Sequence, residues 1–234
     1  MTVSTRPMLR GLAAAAVIAA VSGCGNDGTA SRTTDTIKEL KALVVRKKAD
    51  PALVPAAPPN PTDIVAKTLA ALPDVPLQFV AFEKTGAFAV TSIFGQNGDV
   101  VTWITADKLS MSFDKGMLTA TRGFGGDLMS VDDGGAAELI SGRKSGQVSK
   151  TYRVLDGLEN TSRIPLTCTI APQGTDTITV GEITANVTIM SEVCALGGQQ
   201  FANAYWIDGQ GRMLQSAQWA GPTIGNLAFQ RLRF

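Results

Sequence analysis

The chemistry open to this chain is narrowed first by a residue type it lacks. Its 234 residues contain no histidine, which excludes Ser/His/Asp triads, Cys/His dyads, histidine-ligated metals and histidine pH switches together. What remains is carboxylate pairs, Ser/Lys dyads and metals held by oxygen. The carboxylates Asp127, Asp132, Asp133, Asp156, Glu159 and Asp208 mostly stand beside glycines, where aspartate commonly bonds the local backbone in turns. None of these windows has the alternating oxygen ligands and closing glutamate of a calcium loop. Gly123, Phe124, Gly125 and Gly126 lack the lysine and hydroxyl residue of a nucleotide cradle. No catalytic residue, metal or cofactor is assigned. A glycan-active enzyme using carboxylates alone would need two of them facing one cleft, about 5 to 9.5 Å apart. Contact chemistry is better supplied. Trp103, Tyr152, Tyr205, Trp206 and Trp219 are the side chains most able to stack on sugar rings, and Arg122, Asp127, Asp208, Gln215 and Gln218 can bond hydroxyls around them. Core packing is the rival account, because aromatic residues dominate cores by burial alone. Arg122 with Asp127 reads as a structural ion pair or a turn brace.

The three cysteines carry different chemistry. Arg6 and Arg10 precede an apolar, alanine-rich run from Leu12 to Val21, the pattern of an export signal. That run is too short to cross a hydrocarbon core, which needs roughly 20 residues. Val21, Ser22, Gly23 and Cys24 look like a bacterial lipobox. Cys24 is then the acylated first residue of the mature chain, its fatty chains (such as palmitate) holding the protein on a membrane without a spanning segment. Gly25 stands where an aspartate would suggest retention in the inner membrane, so the periplasmic face of the outer membrane is favoured by analogy. The remaining two, Cys168 and Cys194, form an even pair in an oxidising compartment and are expected to make a disulfide. Such a crosslink would contribute roughly 3.5 kcal/mol by loop-closure entropy. One detail resists: Cys168 shares the Ile164, Leu166, Ile170 face of its strand, whereas Cys194 is out of phase with Ile183, Val187 and Ile189. A bulge, or a cysteine beyond the strand end, would resolve it.

The elements that must position these groups read as follows. Residues 1–23 are the signal peptide. Residues 24–61 form a tether, with a short amphipathic helix over 34–48 and a proline-rich spacer over 49–61. Residues 62–234 make a single β-rich domain. Thr62 starts a helix running to Leu72 and ended by Pro73, and a second short helix lies within 132–142. After Pro76 the chain turns to period-two runs separated by glycine turns, the mark of antiparallel hairpins. Strands are read at 88–94, 100–105, 109–113, 117–121, 148–155, 162–170, 175–180, 183–193, 200–207, 213–219 and 224–234, with Asn97 and Gly98 in a type I′ turn. About a dozen strands cannot lie in one flat open sheet. The expected fold is mainly β: a large curved antiparallel sheet, barrel-like or sandwich, with two or three short helices. A formal charge of +1 leaves no basic field for nucleic acid. A membrane barrel is disfavoured by the 6% aromatic content and by Thr, Ser and Lys on the outward strand positions.

A resemblance enters through motifs spread along the domain: Val100, Val101, Thr102, Trp103; Thr121, Arg122, Gly123, Phe124, Gly125, Gly126, Asp127, Leu128; Tyr152 through Gly157; Phe201, Asn203, Tyr205, Trp206, Ile207, Asp208; and Ser216, Gln218, Trp219, Gly221, Pro222. With the two later cysteines, this series resembles the YjbF family of lipoproteins, related to the group 4 capsule lipoprotein GfcB, over roughly residues 75–234. The resemblance implies an exported antiparallel β lipoprotein serving exopolysaccharide or capsule production or secretion. It implies as partners an outer-membrane β-barrel exporter and periplasmic exopolysaccharide proteins, and it implies no active site; the polysaccharide itself is a further candidate partner, through the aromatic and polar residues named above. Residues 30–73 depart from the pattern.

Overall fold

The computed structural model describes residues 62–156, 158 and 160–234. The expected signal peptide, Cys24 and the tether lie outside the described residues. From Leu77 onward the chain is a meander: β1 (Leu77–Phe82), β2 (Phe88–Asn97), β3 (Val100–Ile104), β4 (Ser110–Asp114), β5 (Met117–Arg122), β6 (Leu128–Asp132), β7 (Gly146–Leu155), β8 (Thr161–Val180), β9 (Ile183–Leu196), β10 (Gln199–Asp208), β11 (Met213–Trp219) and β12 (Asn226–Arg233). Helix α1 (Thr62–Ala71) precedes β1 and α2 (Ala136–Ser141) sits between β6 and β7. All pairings are antiparallel, and β1 pairs with β12, so the two ends of the domain meet. The ladder runs from β5 round to β6. These two strands lie side by side, and the sheet is nearly closed as a barrel.

The turns follow the backbone chemistry of glycine. Lys115 and Gly116 both take positive φ between the paired residues Asp114 and Met117, the pattern of a type I′ hairpin. At the β2–β3 turn the expectation is corrected. Asn97 pairs with Val100 and only Gly98 has positive φ, so the two-residue loop is Gly98–Asp99 with the II′ pattern. Two strands were not legible in the sequence. β1 reads Leu-Gln-Phe-Val-Ala-Phe, with little alternation because both of its faces are covered, and β6 is short. The runs at 162–170 and 175–180 are one strand, β8, with a bulge between Pro172 and Gly174.

That bulge decides where two cores go. Before it, Ile164, Leu166, Cys168 and Ile170 face the barrel interior, joining Trp103, Phe113, Tyr152, Met190, Tyr205 and Phe229. After it, the apolar side of the hairpin faces outward, and Ile178, Val180 and Val187 pack with Ala204, Trp206 and Leu214 as a second core on the outer wall. β9 keeps an unbroken register with β10. Its outer-phase Ile183, Val187 and Ile189 and its inner-phase Met190, Glu192 and Cys194 therefore belong to opposite faces, each buried over a different half of the strand. Cys194 needs neither a bulge in β9 nor a place beyond the strand end, as expected from the sequence; it pairs directly with Cys168. The hairpin tip reaches β12, where the Glu182 amide donates to the Leu232 carbonyl at 2.9 Å. At Gly181, with φ +56°, a Cβ would stand 2.4 Å from that same carbonyl oxygen, so only glycine fits. Arg233 ties three elements by bonding Glu182 and the carbonyls of Leu69 and Leu72 at the end of α1. The Val65 and Leu69 side of α1 covers Leu77, Phe79 and Leu232 as a third core.

Candidate functional site

The barrel is filled, not hollow, and its interior holds a polar cluster. On β7, Lys150 occupies the inward phase shared by Val148, Tyr152 and Val154; on β9, Glu192 shares the phase of Met190 and Cys194. A charged residue in such a phase must find its partner inside, because an isolated buried charge is very costly. Lys150 Nζ lies 2.9 Å from Glu192 Oε1, the two side chains being 1% and 0% exposed. Asn203 Nδ2 donates to Glu192 Oε2 at 2.8 Å and the Tyr205 hydroxyl donates to the same oxygen at 2.7 Å. Asn203 Oδ1 in turn accepts the Trp219 backbone N–H at 2.9 Å. Burial works against the lysine cation, but Tyr152 and the Glu192 carboxylate outweigh it and hold the Lys150 pKa above its ordinary value. Burial, and then the Glu192 charge, push the Tyr205 phenol well above its usual range. Burial also raises Tyr152. Tyr205 is thus a neutral donor to Glu192.

Beside this cluster the Cys168–Cys194 disulfide forms, with Cα atoms 4.0 Å apart on directly paired positions of β8 and β9. The two sulfurs and a Glu192 oxygen lie within 4.8 Å of one another. Both sulfurs are spent in the S–S bond, so the group has no thiolate to offer a metal.

The residues singled out from the sequence are dispersed. Tyr152, Tyr205 and Trp219 surround the interior cluster, with Trp219 packed on Tyr152 and Phe201 at centroid distances of 5.4 and 4.7 Å. Trp206 belongs to the outer-wall core. Trp103 is wholly buried beneath Arg231. None of the five rings forms an exposed stacking face. Arg122 and Asp127 do not pair with each other. Asp127 accepts from the Thr121 hydroxyl and from the Gly123 and Phe124 amides, while Arg122 donates to the Leu128 carbonyl at 3.1 Å. Together with the Leu128 amide on Thr121 Oγ1, these bonds stitch β5 to β6 where no backbone ladder is formed. Asp208 binds the Gln210 and Arg212 amides and the Arg212 side chain, as turn chemistry requires; these bonds overcome the effect of burial and lower its pKa. Gln218 spans the interior, accepting from the Leu118 amide and donating to the Gly116 carbonyl. Gln215 accepts from Gln230 at 3.1 Å.

Lys150, Glu192 and Arg231 were missed as site residues. The signal was present, since each interrupts an apolar alternation on its strand. The outer wall contrasts with this interior: on β8 the outward positions Thr161, Arg163, Pro165, Thr167 and Thr169 are all exposed, a surface made for water and not for lipid tails. No helix among the described residues is long and apolar enough to cross a membrane. On β2, Phe88, Ile93 and Phe94 are exposed apolar side chains, Phe94 to 72%.

Comparison with known proteins places these features. Residues 37–232 match the family model described as group 4 capsule polysaccharide lipoprotein GfcB, YjbF. The uncharacterised lipoprotein YjbF of Escherichia coli is 27% identical over 143 residues, which cover 56% of this chain and 63% of that relative. The crystal structure of the hypothetical lipoprotein YmcC, also from Escherichia coli, superposes with a TM-score of 0.65 at 16% identity, covering 74% of this chain and 90% of that one. That likeness establishes the fold.

Proposed function

The chain belongs to the family of group 4 capsule polysaccharide lipoproteins that includes GfcB and YjbF, and from that membership we propose that it supports exopolysaccharide or capsule assembly and secretion from the periplasmic face of the outer membrane. In this reading acyl chains on Cys24 anchor the protein, and it acts by contact and not by bond making. Its partners are an outer-membrane β-barrel exporter and periplasmic exopolysaccharide proteins. The observation that carries the contact reading is the pairing of a filled interior with exposed apolar side chains on β2. A packed lumen cannot conduct a polymer, and Phe94, an aromatic side chain 72% exposed on β2, offers apolar surface for protein contact. The buried carboxylates support the non-enzymatic part, since Asp127, Glu192 and Asp208 are each already engaged by donors of the fold.

The test is site-specific photocrosslinking from position 94 in intact cells, with the mass of the mature amino-terminal peptide measured in the same sample. The expected result is an adduct with an outer-membrane barrel and a peptide beginning at acylated Cys24. Adducts with inner-membrane enzymes alone, or an unacylated secreted chain, would overturn the proposal.

A further inference from the structure

On the outer wall, where β5, β6, β7 and β8 lie side by side, the charge is of one sign. Arg153 of β7 stands between the inward residues Tyr152 and Val154, and Arg163 of β8 precedes the inward Ile164, so both face outward. The two are directly paired across their strands, and like charges placed opposite each other destabilise a sheet. Arg122 of β5 lies on the same outer face, because its register runs through Ser110, Ile104 and Ser92 to Leu77 beneath α1. Its guanidinium reaches β6 at the Leu128 carbonyl, and Arg153 reaches β6 from the other side, donating to the Ser130 hydroxyl at 3.3 Å. Among the described residues none of the three arginines is within ion-pair distance of a carboxylate. Asp132, further along this face of β6, is engaged by the Gly134 amide at 3.3 Å. Short hydroxylated side chains flank the row, with Ser149 exposed on β7 and Thr161 and Thr167 exposed on β8.

Cations held face to face with no counter-charge in the fold match an anion from outside it. A guanidinium presents a planar fork whose spacing suits the two oxygens of a carboxylate. Neighbouring strands lie about 4.8 Å apart, so arginines on β5, β7 and β8 make a row about 15 Å long, suited to successive acidic groups along a chain and not to one small acid. No exposed large apolar side chain stands on these four strands, whereas stable protein contacts bury an apolar centre. The row therefore favours a hydrophilic polyanion over an acidic protein. We propose that the face carrying Arg122, Arg153 and Arg163 binds an acidic polysaccharide through the carboxylates of its uronate units. The polyanion follows from the row by itself; the polysaccharide rests on the function proposed above.

The test uses the full-length protein in uncharged detergent, titrated separately with polygalacturonate, dextran and poly-glutamate. Polygalacturonate is expected to bind, more weakly as ionic strength rises, and uncharged dextran to show no binding. Arg153→Gln and Arg163→Gln are each expected to weaken polygalacturonate several-fold and together about tenfold, while the double lysine variant retains part of the affinity. Removing one of two facing charges relieves their repulsion, so the glutamine variants should melt no lower than the parent; a marked fall would show that the fold supplies their counter-charge and would overturn the inference. So would polygalacturonate that fails to bind, or that binds the folded double glutamine variant as tightly as the parent. Poly-glutamate binding as tightly as polygalacturonate would leave the anion site standing and overturn the polysaccharide. None of these results touches the crosslink from position 94 on β2, so this inference and the contact reading fail separately.

Discussion

Two sets of buried polar side chains share this barrel, and they are satisfied to very different degrees. Around Glu192, a lysine, an asparagine and a tyrosine all donate to one carboxylate, and the cation and anion cancel. Around Arg231, its own Nε, the Gln78 amide and the Trp103 indole N–H find no acceptor in the protein, and the guanidinium stands on an aromatic ring instead. A closed network of the first kind contributes to specifying one packed arrangement, because breaking any member leaves a buried charge or dipole exposed to low dielectric. An open cluster of the second kind detracts from stability and is the kind of place where function is found. The contrast separates a network that closes on itself from one that packing leaves open.

The comparison can be broken at its strongest point. Lys150→Met leaves the Glu192 charge buried and uncompensated, so a loss of about 3–5 kcal/mol is expected, seen as a fall of roughly 10 °C in the melting temperature. The double variant Lys150→Met/Glu192→Leu should recover a large part of that loss by removing both charges. A single variant that melts with the native protein would mean the pair does not hold the barrel interior together.

Arg231→Met should behave oppositely. The loss of a stacked cation, worth about 0.5–2 kcal/mol, is offset by removal of a half-buried charge with no ion pair among the described residues, so chemical denaturation should place the variant within about 1 kcal/mol of the parent. The pH dependence sharpens this. With its folded pKa held near 10 by burial, Arg231 is protonated more readily in the unfolded chain. Its destabilising contribution is present below about pH 10 and fades as pH rises above it. Arg231→Met should therefore exceed the parent most at neutral pH and converge with it in alkali, as read from paired denaturation curves.

The smallest signal is expected from the tyrosines. The whole chain has two, Tyr152 and Tyr205, both buried with raised pKa values. Folding favours their protonated form, so stability is lost as pH climbs past the ordinary phenol value near 10. The folded protein should show almost no phenolate absorbance at pH 10 to 10.5, and ionisation should appear together with unfolding. A gradual titration at ordinary pKa values in folded protein would place at least one ring in solvent.

Much of the scaffold was legible in local pattern. Alternating runs such as Leu109, Met111, Phe113, and glycine pairs such as Gly197–Gly198 between Leu196 and Gln199, report on neighbours one turn away, which is all a hairpin needs. The even pair of cysteines foretold the disulfide. The aromatic set was legible only as residue types. Stacking on sugar and packing in a core call for the same rings, and the closing of the sheet sent all five inward or under the outer hairpin. The phase of β9 misled for a related reason: alternation marks two faces but does not say that each will be buried along a different stretch.

By itself the sequence determined an antiparallel β meander with glycine turns, a disulfide between Cys168 and Cys194 and, through its lack of histidine, the chemistry excluded. Only the tertiary structure decided that Lys150 meets Glu192 across β8, and that Gln78 of β1, Gln215 of β11 and Arg231 of β12 line one pocket. The physical reason is range. A period of two residues fixes which side of a strand a residue occupies, whereas the neighbour it meets there is set by the β1–β12 pairing and by barrel curvature, which no local repeat encodes.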